Sequence, residues 1–288
     1  MTHYQQVRKF LNRTGTRPRK RLGQNFLIEP NVLEKIVAAS EITDADSALE
    51  IGAGLGFLTS ALALNAKRVI AIEVDNVLFR ELQCRFTDFP QVRLIHGDVL
   101  KVNLSPLLDQ FSRSNTKVIA NLPYSITTPI IWKLLSHHRH IGICVLMMQR
   151  EVADRIAALP GRKTYGALTV GISYYAETEI VDVLPPDCFY PAPQVESAIV
   201  KLKIREAPKV RVADEALFFR IVRASFQARR KMLRNALLKN NVPITAEALD
   251  SVFDKLEIDP RRRGETLEIS EFAALANGIA ELNSGPGR

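Results

Sequence analysis

The chain of 288 residues is 47% hydrophobic and 24% charged, with 39 basic against 31 acidic side chains and a formal net charge of +8. That balance excludes a disordered chain and supplies a real core, enough for one large domain and a smaller one. The three cysteines (Cys84, Cys144, Cys188) are far apart. They have neither the spacing of a zinc site nor the density of a disulfide framework, and no apolar run of about 18 residues or signal-peptide core is present, so a reducing, cytoplasmic setting is expected.

In chain order, "RKFLNRTGTRPRKR" (8–21) comes first, a basic arm without an acid. "ALEIG" (48–52) reads as a buried strand followed by the helix "FLTSALALN". "RVIAIEVD" (68–75) precedes the helix "NVLFRELQCRF", and "VRLIHGD" (92–98) is a third strand. "KVIAN" (117–121) precedes the helix "TPIIWKLLS", and "GICVLMMQ" (142–149) precedes "REVADRIAAL". This alternation predicts parallel strands with crossover helices, a doubly wound α/β sheet. "ETEIVDVLP" (177–185) and "VESAIVKLKI" (195–204) have no helical pattern between them and are expected as an antiparallel pair at the sheet edge. "HHRH" (137–140) is polar and lacks a carboxylate or Cys nearby, so a solvated turn is expected and no metal site.

After "REAPKVRV" the pattern turns helical, which divides the chain into domains at 1–207 and 208–288, the second all-α. There "ADEALFFRIVRASFQARRKMLRNALL" reads as one continuous helix. Its Arg223, Arg230 and Arg234 would share one face, with Phe219, Val222, Phe226 and Leu233 packing the other.

Three successive strand ends carry ligand chemistry. Gly52, Gly54 and Gly56 follow the first strand, where a backbone must turn tightly and approach a ligand; Phe57 replaces the third glycine of the dinucleotide pattern. Glu73 ends the second strand, where an acid can accept both hydroxyls of a ribose. Asp98 ends the third, placed for an adenine amino edge. Together they point to an adenosine-type cofactor. The next strand stops at "ANLPYSITTP" (120–129), where Pro123 ends ladder pairing and leaves Tyr124 at the ligand-binding edge.

"EIGAGLG", "IEVD", "GD" and "NLPY", with "RKRLGQNFL" (19–27), "CFYPAPQVESAIVKL" (188–202) and "SFQARRKMLRNAL" (225–237), resemble the motifs of the ribosomal RNA adenine dimethylase family over nearly the whole chain. The resemblance implies a Rossmann-like sheet using S-adenosyl-L-methionine, with S-adenosyl-L-homocysteine as product and no metal. Asn25 and Leu27 would close over the methionine end and Gly52 would lie beneath it. Glu73 would hold the ribose, Asp98 the adenine amino group, and Asn121 would border both substrates. The Asn121 side-chain oxygen and the Leu122 carbonyl would accept from the target N6. Pro123 would stiffen that turn, Tyr124 would stack on the extruded base, and Phe189 would cover its other face.

Among family members the likeness is to those acting on small-subunit rRNA. It implies dimethylation of two adjacent adenosines in the 3′-terminal hairpin loop of 16S rRNA in an assembling 30S subunit, by a monomer. Arg19, Lys20, Arg21, Arg223, Arg230 and Arg234 are the expected RNA contacts. Two alternatives stay open: an antibiotic-resistance methyltransferase of large-subunit rRNA, and a non-catalytic assembly factor of the same fold.

Overall fold

The computed structural model describes residues 1–227 and 231–283. Helix α1 (His3–Thr14) opens the chain, capped by Thr2 and Gln5 in a reciprocal box, and ends at Gly15 in the left-handed conformation. Its Val7 and Phe10 are buried. Strand β1 (Phe26–Leu27) and helix α2 (Pro30–Ser40) follow. Then comes the alternating series: β2 (Ser47–Ile51), α3 (Phe57–Ala63), β3 (Arg68–Glu73), α4 (Asn76–Arg85), β4 (Val92–His96), the short α5 (Ser105–Leu108), β5 (Thr116–Asn121), α6 (Thr127–Leu135), β6 (Ile143–Gln149) and α7 (Arg150–Ile156). The chain continues through α8 (Ala167–Tyr175), β7 (Ala176–Leu184), β8 (Phe189–Tyr190) and β9 (Ser197–Ile204). It closes with α9 (Glu215–Gln227), α10 (Leu233–Lys239), α11 (Ala246–Leu256) and α12 (Ile269–Asn283).

Seven strands form one sheet in the order β4-β3-β2-β5-β6-β9-β7. The first five run parallel, and β9 pairs antiparallel with β6. All five residues of β2 are buried, as a central parallel strand covered on both faces requires. Strand order reverses between β2 and β5, which opens a crevice at their carboxyl ends. β1 and β8 form a separate antiparallel pair, with Phe26 opposite Tyr190 and Leu27 opposite Phe189. Among the described residues no helix is long and apolar enough to cross a membrane.

The chain divides into two compact units, Met1–Ala153 with Glu177–Ile204, and Asp154–Ala176 with the residues from Arg205 onward. The expected break at 207/208 lies three residues from the observed one at 204/205. The segment 154–176, expected in the sheet domain, groups with the helices instead. Its α8 is apolar on nearly every side, and its Tyr174 stacks on Phe218 of α9 with ring centroids 4.9 Å apart.

The continuous helix expected from residue 213 is broken. α9 ends at Gln227, and Met232 is extended (ψ 149°) before α10 begins. Arg223 and Arg234 therefore lie on different helices and do not share one helical face; Arg230 lies outside the described residues. Phe219, Val222 and Leu233 are buried as expected, and Phe226 packs edge-on against Tyr165.

Candidate active site

Two adjoining hollows sit at the carboxyl ends of the central strands. The smaller is lined by Asn25, Leu27, Gly52, Glu73 and Asn121 among others; the larger, about 1090 Å³, is lined by Tyr124, Ser125, Gln149 and Tyr190 among others. Gly23, Gln24 and Asn25 line both, so one loop is the wall between them.

The glycine loop after β2 is drawn against Glu73. The Gly54 N–H donates to Glu73 Oε2 at 2.8 Å, and the Asp75 N–H donates to Oε1 at 2.8 Å. Gly52 and Gly54 have φ of 78° and 59°, which side chains with a Cβ rarely adopt. Glu73 is 5% exposed, and burial raises its carboxyl above the ordinary value against those two N–H bonds. Asp75 caps α4, accepting from Val77 N–H at 2.8 Å. Its other oxygen takes Gln24 Nε2 at 3.1 Å and Arg19 at 3.0 Å, which fastens the N-terminal loop beside the cavity.

A second carboxylate that motif reading did not assign lines the same cavity. Glu50, 1% exposed on β2, accepts from Thr59 Oγ1 at 2.5 Å, and burial pushes it up to about 8. Its only sequence signal is an acid inside the apolar strand "SALEI".

At the end of β5 the Asn121 Nδ2 donates to the Asn25 carbonyl at 3.1 Å. That bond fixes the amide plane and leaves Oδ1 as an oriented acceptor. The Leu122 N–H donates to the Met147 carbonyl at 2.9 Å, so the peptide behind the Leu122 carbonyl is anchored on β6. Pro123 lies against Gly23, where an added Cβ would meet Pro123 Cβ at 3.2 Å; the two loops interlock. Tyr124 shares a 2.6 Å hydrogen bond with Ser197, a fully buried residue on β9, and burial pushes its phenol up so that it stays protonated. In the sequence Ser197 shows only as a hydroxyl opening an apolar strand, and its contact with Tyr124 is not legible there.

Three expected residues are placed differently. Phe189 is 2% exposed and packed in the core, lining neither hollow; its neighbour Tyr190 lines the larger one. Adjacent strand residues point to opposite faces, so only one of the pair can reach the cleft. Asp98 accepts from the Leu100 N–H at 2.9 Å and is not among the residues lining the smaller cavity. Arg19 pairs with Asp75 at 3.0 Å, so it is not an unengaged cation, and it lines neither hollow.

Of the other basic candidates, Arg21 and Arg223 are exposed, and the Lys20 side chain lies outside what is described. Arg234 is bidentate on Asp250, at 2.5 and 2.7 Å, which occupies its guanidinium fork. His137 and His138 each turn Nδ1 onto a backbone carbonyl of α6, at 2.8 and 2.9 Å. No cluster of three or more metal-ligating side chains occurs among the described residues.

The model of the family "Ribosomal RNA adenine dimethylase" matches residues 15–275. A "Ribosomal RNA small subunit methyltransferase A" of Geobacillus thermodenitrificans is 48% identical over 281 residues, 96% of each chain, and that of Bacillus mycoides is 47% identical over 91% of each. Among solved structures, a dimethyladenosine transferase from Plasmodium falciparum superposes with a TM-score of 0.75 at 28% identity, covering 87% of this chain and 95% of that one. A 23S rRNA methyltransferase shares the fold, with a TM-score of 0.69 at 23% identity over 89% of this chain and all of the other.

Proposed function

This chain belongs to the ribosomal RNA adenine dimethylase family, and we propose that it transfers methyl groups from S-adenosyl-L-methionine to N6 of two adjacent adenosines in the 3′-terminal hairpin loop of 16S rRNA. It would act as a monomer on an assembling 30S subunit in the cytoplasm, releasing S-adenosyl-L-homocysteine. The observation that carries this reading is the pair of hollows sharing one wall, with Asn121 and Pro123 lining one and Tyr124 the other. A donor in the smaller and a base in the larger would meet at the Asn121–Tyr124 turn.

The smaller cavity fits the proposed donor. Two buried acids, Glu50 and Glu73, suit a ligand that brings hydrogen-bond donors, an ammonium group and ribose hydroxyls, and the glycine backbone leaves room beside them. Glu73 would take the ribose hydroxyls, Asn25 and Leu27 the methionine end above Gly52, and Asp98, which lies outside the lining of that cavity, the adenine amino group. When bound, S-adenosylmethionine supplies an electrophilic methyl on a sulfonium.

An adenine N6 is a poor nucleophile because its lone pair is drawn into the ring. Asn121 Oδ1 and the Leu122 carbonyl would accept its two hydrogens and favour a pyramidal nitrogen with the lone pair directed at the smaller cavity. Positive charge develops on that nitrogen during attack, so fixed acceptor dipoles stabilise the transition state more than the ground state. Tyr124, clamped by Ser197, would stack on the extruded base. No strong base is needed, because the extra proton of the alkylated amine leaves to water.

Curated relatives named for the small subunit, matched along 96% of their length, support 16S over large-subunit rRNA. The intact turn and buried acids support catalysis over binding alone. Incubation with labelled S-adenosylmethionine and separate 30S and 50S particles tests this: label is expected in 30S. Label confined to 50S would indicate a resistance-type enzyme, and none in either a binding factor.

A further inference from the structure

Helix α1 ends at Thr14, and the family model matches from residue 15. Its inward face is simple packing: Val7 and Phe10 join the core of the sheet unit. Its outer face is not surplus surface. Arg8, Leu11 and Asn12, with Arg17 just beyond the helix, line the larger cleft. That cleft also contains Tyr124, where the target base would stack, and among the described residues no Asp or Glu lines it.

The helix reaches across to the opposite rim. Tyr4 meets the Tyr190 ring edge-on at 5.4 Å and 82°. Arg8 donates to the Tyr190 hydroxyl at 3.4 Å, with its guanidinium carbon 5.9 Å from the ring centroid. The other cations of this region are engaged differently. Arg13 pairs with Glu81 and Arg19 with Asp75, both outside the cleft lining. Arg8 and Arg17 have no carboxylate partner among the described contacts, and both are exposed.

We propose that the cleft-facing side of α1, together with Arg17 and Tyr190, forms a subsite for the ribonucleotides that adjoin the target adenosine on the same strand. The proposal rests on the reading of the cleft as the RNA side of a methyltransferase. Two arginines without carboxylate partners among the described contacts, beside a half-buried aromatic that lines the cleft, match what a single strand offers: phosphates for the cations and a base face for the ring. A cleft of about 1090 Å³ lies at the upper end of the roughly 300–1,000 Å³ range of small-ligand pockets, large for a single base. An acid-free lining disfavours a cationic or basic-peptide occupant. In this arrangement Arg8 has two uses, bracing Tyr190 and meeting phosphate, while the Asn12 amide can reach a base edge or a ribose hydroxyl.

The test compares the full-length wild type, the double variant Arg8→Gln with Arg17→Gln, and Lys9→Gln. Lys9 is an exposed cation on the same helix that does not line the cleft. Binding to 30S particles is measured across a salt series, beside calorimetric titration with S-adenosylmethionine and single-turnover methylation at saturating 30S. The double variant should lower the magnitude of the salt slope by about 1.4, at roughly 0.7 per single-strand phosphate contact, and weaken binding at fixed salt. Cofactor affinity should stay at wild type, and Lys9→Gln should change the slope little.

A wild-type slope in the double variant, or an equal change in Lys9→Gln, would overturn the subsite and leave α1 as a packing helix. Lost cofactor binding would also overturn it, by showing a structural role. Failure of the wild type to label 30S would instead overturn the functional reading on which the subsite rests.

Discussion

Replacing Asn121 separates the two uses of its side chain. The amide donates to the Asn25 carbonyl at 3.1 Å and, in the proposed mechanism, accepts from N6 through Oδ1. Losing the first is loss of one neutral hydrogen bond, about 1 kcal/mol or roughly fivefold through a looser loop. Losing the second removes an oriented dipole from the transition state, about 2.7–4 kcal/mol or 10²–10³ in rate. Asn121→Ala loses both, so a rate loss of about 10²–10³ or more is expected, with the fold intact because β5 is held by backbone pairing to β2 and β6.

Asn121→Asp loses the donor but keeps an acceptor, now charged and facing a nitrogen that becomes positive. If acceptance carries the rate, the Asp variant should recover a large part of what Ala loses. If the Asn25 bond carries it, Asp should be as poor as Ala or poorer, since a carboxylate repels that carbonyl. Single-turnover transfer to 30S particles at saturating cofactor reads the chemical step. An Ala variant within about fivefold of wild type would refute the assigned role.

Glu73→Ala should weaken S-adenosylmethionine by about tenfold or more, the loss of one charge-assisted hydrogen bond, with 30S binding unchanged by filter or sedimentation assay. Ser197→Ala leaves the half-buried Tyr124 hydroxyl without its 2.6 Å partner. The rate at saturating 30S should fall about fivefold with cofactor affinity intact by calorimetry, and an unchanged rate would make the clamp irrelevant. Glu50 is raised to about 8 in the folded state from an ordinary 4.5. Its contribution to stability is therefore fully present below about pH 4.5 and lost as pH rises through about 8, on the order of a few kcal/mol. Ligand-free Glu50→Gln should lose less stability than wild type between pH 5 and pH 9 in denaturant titrations; parallel curves would exclude the buried acid as the cause.

Local chemistry made much of this readable from the chain. The glycine loop, Glu73 and Asn121 each sit where a hydrophobic strand ends, and strand ends are marked by periodicity and turn residues within a few positions. What failed to show depends on distant partners. Arg19 and Arg234 look like free cations until Asp75 and Asp250 are brought to them. Phe189 and Tyr190 lie in a strand of two residues, too short for alternation to say which faces the cleft; pairing with β1 decides it. The break between α9 and α10 falls inside a run whose apolar spacing is helical throughout. Met232 leaves the helix there, and the Leu233 N–H goes to the Arg262 carbonyl, a tertiary bond at 2.7 Å. Helix α1 could have been read, since "THYQ" carries its capping box and Val7 and Phe10 its buried stripe.

The central claim, that the Asn121–Tyr124 turn presents an adenine N6 to the donor cavity, is tested most directly by identifying the methylated atom. 30S particles lacking the modification are incubated with the protein and S-adenosylmethionine, and the 16S rRNA is digested and resolved by mass spectrometry against nucleoside standards. N6,N6-dimethyladenosine at two neighbouring positions of the 3′-terminal loop is the expected product, strongly reduced with Asn121→Ala. Methyl groups on a ring carbon, on N1 or on a ribose hydroxyl would contradict the geometry, as would undiminished dimethyladenosine with Asn121→Ala.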